Sequence, residues 1–307
     1  MAPGAGTAFD SFIADEISKY SEIAFPVKSS FIKRLLIKKL KCKQLHPNPE
    51  DEFSQPDVGP SYRIISEYEK KYIRNTNMGK EYFQDEDPII VEKIYPSGYM
   101  ILNGHHRWAA ALRLGYSKIP VQIVNILHNR EIKEMIINSV HDKRVALDLD
   151  EIVFYNPSLD EPEDNLPFPI SLFYKQRLRR GIPALFRMLE KEGYDIWVYS
   201  SEYYSMEYIK YLFKRYHVNV TSIVTGTNKL RQSRAEKQAM EAIYSAKYKH
   251  TLLIDNSMIA MIDNVKKDFR DFEIPDTSHW STEVMEIIKE IAADESKERP
   301  GKDESVI

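Results

Sequence analysis

The second half of the chain alternates two kinds of segment with a regularity that few folds accommodate. Short apolar runs, "RVALDLD" (144–150), "YDIWVYSS" (194–201), "VTSIVTG" (220–226) and "HTLLIDNS" (250–257), are separated by stretches that read as helices over Gly181–Glu192, Ser205–Tyr216 and Ser233–Lys247. Continuous apolar runs suit strands buried on both faces, and their alternation with helices predicts an α/β domain built on a parallel sheet with helices on its faces. In such sheets ligands bind beyond the carboxyl ends of the strands. Here those ends carry Asp148 and Asp150, Ser200 and Ser201, Thr225, and Asp255 and Asn256, a polar set that the topology gathers along one edge.

The first half reads differently. A helix is expected to start near Asp10 in "FDSFIADEISKYSEI"; a loop rich in proline and acid (46–60) precedes a second helix from Ser61 to about Arg74. "DPIIVEKIYPSGYMILNG" then reads as two strands around a Pro-Ser-Gly turn. It leads into Asn103-Gly104-His105-His106-Arg107, where a helix with an apolar stripe of Trp108, Ala111 and Leu112 begins, followed by a strand over Ile119–Val124. A helix N-terminus carries partial positive charge and prefers acidic side chains, so two histidines and an arginine there break a local rule. A strand, a glycine turn and a cationic helix start together describe an anion site, with free backbone N–H groups and a guanidinium fork for phosphate. The basic stretches Phe31–Lys43 and Tyr174–Gly181 carry apolar residues at element spacing and read as solvated faces of helices or strands.

At 307 residues the chain is long enough for two cores. We divide it into an N-terminal helical extension (1–35), a first domain (36–142) closing near His141, a second domain (143–293) and a disordered tail (294–307). A net charge of −3 argues against phosphate-driven binding of duplex DNA. Cys42 is the only cysteine, which excludes a disulfide framework or a cysteine zinc cluster. No run approaches the length of a membrane span, so a cytoplasmic protein with no membrane partner is expected.

In "VALDLDEIVFYN" Asp148 and Asp150 lie two apart where a strand runs out, and both can approach one divalent cation if the chain bends there. Mg²⁺ suits such oxygen donors, and Asp255 would complete the set. With a serine after the second strand and a lysine in the helix before the fourth, residues from about Lys143 to Pro275 resemble the haloacid dehalogenase-like superfamily of Mg²⁺-dependent phosphatases. The resemblance implies that Asp148 is the nucleophile that forms an aspartyl-phosphate and Asp150 the general acid/base. It gives Ser200 the transferred phosphoryl group, Lys237 (or Lys229) the third-motif role, and Asp255 with Asn256 the metal. The form of "LLIDNSM" is similar to that of phosphatases acting on the RNA polymerase C-terminal domain, and residues 156–174 have room for a small cap. Ile152 stands where the superfamily usually has threonine or valine.

"NGHHRWAAALRLGYSKIPVQIV", preceded by "PIIVEKIYPSGYMI", resembles the ParB/sulfiredoxin fold family over about Leu40–Leu127. That implies an α+β domain in which Asn103, Gly104, His105, His106 and Arg107 hold a nucleotide phosphate, as ATP or ADP. His105 occupies the slot of the sulfiredoxin cysteine, which excludes that chemistry. The free serine kinase branch has the most similar turn, with Asn103 where it usually has aspartate. That branch implies catalytic carboxylates in "HPNPEDEF", where we assign Glu50 and Glu52, with Asp51 between them. The expectation is a two-domain phosphotransfer enzyme: a kinase-like nucleotide domain joined to a Mg²⁺-dependent phosphohydrolase. Its substrates would be a small phosphorylated metabolite or nucleotide and a free amino acid such as serine. The alternatives are a first domain that only recognises a ligand for the phosphatase, and a nucleotide-gated switch with the second domain as platform.

Overall fold

A computed structural model of the chain describes residues 5–21, 24–55, 57–158, 161–174, 176–227 and 234–298. It is a mixed α/β structure in two compact units, the first reaching Ile126 with a short return at Tyr203–Met206, the second starting at Leu127. No helix among the described residues is long and apolar enough to cross a membrane.

In the first unit α1 (Ala5–Ser21) begins earlier than expected and buries Ile13 and Tyr20. It is followed by β1 (Phe25–Pro26), α2 (Phe31–Leu36), β2 (Lys39–Lys41), β3 (Leu45–His46) and α3 (Tyr62–Asn77). Then come β4 (Ile89–Tyr95), β5 (Tyr99–Asn103), α4 (His105–Arg113) and β6 (Lys118–Val124). The strand order is β2-β6-β4-β5-β3, and β1 also pairs with β4. Residues 1–35 are therefore more than a helical extension, because Phe25 and Pro26 pair with Tyr95 and Ile94 inside the sheet. Alternation along β4 and β6 sends Ile89, Val91, Ile119, Val121 and Ile123 into one core. The run Ala109-Ala110-Ala111 lets α4 approach that sheet closely, and Trp108 beside it is buried with its indole N–H donating to the Cys42 carbonyl at 3.0 Å. A large apolar side chain so placed contributes about 1.5–3 kcal/mol, so this face of α4 fixes where its N-terminus points.

The second unit begins with α5 (Asn129–Asn138), whose residues fall within the range expected of the first domain (36–142) but which packs on the helix Arg234–Lys247 of the second. It continues with β7 (Lys143–Asp148), α6 (Ile182–Lys191), β8 (Tyr194–Ser200), α7 (Met206–Arg215), β9 (Ser222–Thr225) and α8 (Arg234–Lys247). Last come β10 (His250–Ile254), β11 (Met258–Asp263), β12 (Asp268–Glu273) and α9 (Trp280–Glu298). The order is β12-β11-β10-β7-β8-β9, with β10, β7, β8 and β9 parallel as their apolar runs require. The sequence did not announce the antiparallel hairpin of β11 and β12, which turns where Asp263 accepts the N–H groups of Val265 and Lys266, both at 2.9 Å. α9 runs to Glu298, so the tail expected to be disordered from residue 294 is helical as far as the described residues go. Beyond β7 the chain makes one π-helical turn, Leu149–Val153, and returns through bridges Phe154–Leu178 and Pro162–Arg179. Of the segment expected to form a small cap (156–174), the described residues 156–158 and 161–174 are irregular apart from one 3-10 turn at Ile170–Phe173 and the bridge at Pro162.

Candidate functional site

In the first unit β5 ends at Asn103, Gly104 takes a left-handed backbone with φ of 103°, and α4 begins. Glycine is required at this turn. A Cβ there would lie 2.9 Å from Nη2 of Arg107, whose buried guanidinium folds back beneath the turn and donates from Nη1 to the Asp87 carbonyl. A cavity of about 460 Å³ opens over this turn. Asn103, Gly104, His105, His106 and Arg107 all line it, together with Asp51, Glu86 and Asp87.

The two histidines resolve the electrostatic anomaly. His105 is buried and its Nε2 accepts the backbone N–H of Asn48 at 3.1 Å, which leaves the proton on Nδ1, 3.4 Å from the Asp51 carboxylate. Burial, with a smaller contribution from His106 beside it, lowers its pKa to about 3, so the ring is neutral near pH 7. The Nε2 of His106 likewise accepts the Ser61 N–H at 3.2 Å, and burial holds its pKa below the usual value while Asp51 pulls it upward. Arg107 is then the one charged member of the trio. The first N–H groups of α4 need a partner from outside the helix, because Trp108 is the first residue whose N–H reaches back, to Gly104.

Glu50 and Glu52 are exposed and line no part of this cavity. The loop delivers Asp51 instead. Buried Phe53 pins a 3-10 turn (Glu52–Ser54) in which the Phe53 N–H is capped by Asp51 at 2.9 Å, and the cap aims that carboxylate inward. Burial raises the Asp51 carboxyl above its ordinary range, while the Phe53 N–H and the neighbouring His106 ring oppose the rise. Phe53 also stacks on His105, with ring centres 5.3 Å apart.

In the second unit the strand registers bring the expected polar set to one sheet edge: Ile254 lies beside Leu147, Asp148 beside Tyr199, and Ser200 beside Thr225. Asp148 ends β7 and accepts the N–H groups of Asp150 and Glu151, both at 2.8 Å, which fixes its carboxylate over the π turn. The buried Ser200 hydroxyl donates to Asp150 at 2.5 Å and accepts the Glu202 N–H at 2.9 Å. Asp255 is exposed just past β10, with its carboxylate on the Asn256 N–H. The Asn256 side-chain oxygen accepts from Arg179 at 2.8 Å. Arg179, which the sequence reading passed over, is buried and stacks 4.1 Å from the Trp280 ring centre, while the Trp280 indole donates to the Asp255 carbonyl at 3.1 Å. Its signal was faint: one arginine among four in "RLRRGIPALFR". Lys237 is exposed in the first turn of α8, and Lys229 lies outside the described residues. Asp148, Asp150 and Asp255 are the hard oxygen donors of this edge; among the described residues no three His, Cys, Asp or Glu side chains already converge on a common metal position.

Residues 71–140 match the family model of the ParB N-terminal domain. The match contains the whole Asn103–Arg107 turn and stops before β7. No curated protein matches the chain.

Proposed function

We propose that this chain is a phosphotransfer enzyme whose ParB-like unit binds ATP or ADP at the Asn103–Arg107 turn. The observation that carries the reading is the cavity over the start of α4. There, backbone N–H groups, one buried guanidinium and one inward carboxylate meet, the parts that phosphoryl transfer from a nucleotide to a hydroxyl needs. The α4 N-terminus and Arg107 take phosphate oxygens. Asp51 receives the proton of an acceptor hydroxyl, a small alcohol or a free amino acid such as serine, as its oxygen attacks the terminal phosphorus and the bond to the departing nucleotide breaks. With His105 and His106 neutral and Glu86 paired with Lys71 at 2.5 Å, Asp51 and Asp87 outweigh Arg107, a balance that suits a substrate bearing an ammonium group beside its hydroxyl.

A second activity, phosphomonoester hydrolysis in the other unit, rests on the aligned polar edge. Asp148 would attack phosphorus while Asp150 protonates the leaving oxygen; Asp150 would then take a proton from the water that cleaves the aspartyl-phosphate. Ser200, now on Asp150, would turn to the phosphoryl oxygens, and Arg179 would hold the loop of Asp255 and Asn256 in place. The carboxylates fit Mg²⁺, which Asp148, Asp150 and Asp255 would hold and which would supply charge neutralisation at the phosphoryl oxygens. A phosphorylated metabolite or nucleotide is the substrate class.

The test of the first activity is calorimetric titration with ATP and ADP, followed by transfer of labelled γ-phosphate to a panel of small alcohols and amino acids. Arg107→Gln should weaken nucleotide binding by roughly tenfold to a hundredfold, the weight of a hydrogen bond to a charged group. Wild-type protein that binds no nucleotide would refute the reading.

A further inference from the structure

A second surface of the first unit is built for something outside the chain. From Ala24 to Pro49 the sequence contains seven lysines and arginines (Lys28, Lys33, Arg34, Lys38, Lys39, Lys41 and Lys43) and no acidic residue. Within it α2 buries none of its six residues. Phe31, Ile32, Leu35 and Leu36 are 57%, 65%, 47% and 71% exposed, although their spacing is that of a helix face made for burial. A helix this short has no stability of its own. The structure holds it by its ends. Asn125, buried, accepts the Ser29 N–H at 2.8 Å and donates to the Ser29 carbonyl at 3.0 Å, Ser30 caps the first turn, and the Lys38 carbonyl receives the Val121 N–H at 2.9 Å. The backbone is clamped while the apolar side chains point outward. Contiguous exposed apolar surface of this kind marks a contact site.

We propose that α2 is a peripheral docking face for an anionic lipid surface. Charge complementarity carries the choice: Lys33, Lys38, Lys41 and Lys43 are exposed on a stretch that holds no acidic residue, and Lys39 beside them reaches the Glu81 carboxylate at 2.9 Å. Aliphatic and aromatic side chains enter the boundary between headgroups and acyl chains while flanking lysines stay with the phosphates. The four apolar residues are exposed and project from the surface; a fluid surface accepts projecting side chains, whereas a rigid protein partner would need a matching groove. Such a contact needs no spanning helix and goes beyond the expectation of no membrane partner.

Flotation of the full chain with phosphatidylcholine vesicles, with and without phosphatidylserine, tests this. Wild-type protein should float with the anionic vesicles only, and less as salt rises. Ile32→Ser with Leu36→Ser, and separately Lys33→Glu with Lys38→Glu, should each reduce partition by roughly tenfold or more. Both pairs lie on exposed positions, and unchanged circular dichroism would show that the fold survives. Absence of wild-type flotation at low salt, or flotation indifferent to both pairs, overturns the proposal. So does concentration-dependent self-association that the Ser pair abolishes while vesicles are ignored, which would make the face a protein contact.

Discussion

Two histidines in the first turn of a helix oppose its dipole only in the form that carries a proton. His105 and His106 each spend Nε2 as an acceptor for a backbone N–H, a role that protonation destroys. The consequence is a dependence of stability on pH. The folded pKa of His105, about 3, lies below its ordinary 6.5, so between those values the unfolded chain holds a proton that the folded one refuses. Its contribution is complete above 6.5 and drains as pH falls, at roughly 1.4 kcal/mol per pH unit while this one proton is at issue. His46 and His106, both lowered by burial, add to that slope; Asp51, raised by burial, opposes it just above its ordinary 3.8. Hydrogen exchange of the α4 amides between about pH 7 and pH 5, corrected for intrinsic rates, should show protection falling faster in wild type than in His105→Gln, whose amide oxygen keeps the bond from Asn48. Equal slopes would mean that His105 is already charged in the folded protein. The same turn tells what sequence could reveal: the broken charge rule pointed to Asn103–Arg107, but nothing in Glu50-Asp51-Glu52 says which acid turns inward. That is decided by Phe53, whose burial orients the 3-10 turn.

Among the elements of the second unit, the amino ends of the strands are tied together by one buried carboxylate. Asp195, at the start of β8, accepts the Tyr248 hydroxyl at 2.7 Å, the His141 Nδ1–H at 2.9 Å, the Ser139 hydroxyl, and the Thr221 hydroxyl at 3.4 Å. Those partners precede β7, β9 and β10, so Asp195 sets the stagger that aligns the opposite, polar edge. Asp195→Ala leaves the donors unpaired in a buried setting and should cost about 3 kcal/mol, read as a lower urea midpoint by circular dichroism. Asp195→Asn, which keeps an acceptor, should fall between; an Ala variant as stable as wild type would deny the tie. The parallel strands were legible because burial on both faces leaves an unbroken apolar run. β12, "DFRDFE", was not, because it lies at the edge of the sheet with most residues exposed and only its pairing with β11 defines it. α2 lies in a stretch read as a solvated face, and the fold leaves even its helically spaced apolar residues uncovered.

At the scale of the whole molecule two cores carry two candidate sites, and whether their chemistries are independent or coupled separates the phosphotransfer reading from the switch. Sites that share no side chain behave additively under mutation. Arg107 is held through the Asp87 carbonyl, within the first unit, and Asp148 takes its N–H partners from its own π turn, within the second. Asp148→Asn keeps the shape of the side chain but removes the carboxylate that the proposed hydrolysis needs. It should lower Mg²⁺-dependent phosphate release from a simple aryl phosphate by roughly a thousandfold or more while leaving the affinity for ATP unchanged. Arg107→Gln should do the reverse, weakening ATP binding with phosphate release intact, and the double variant should show the product of the two effects. A switch predicts another pattern: ATP would alter phosphate release in wild type, and Arg107→Gln would remove that response without touching the basal rate. Measuring release with and without ATP across the four proteins separates the two, because two independent phosphotransfer sites allow no dependence of the Asp148 reaction on occupancy of the Arg107 turn.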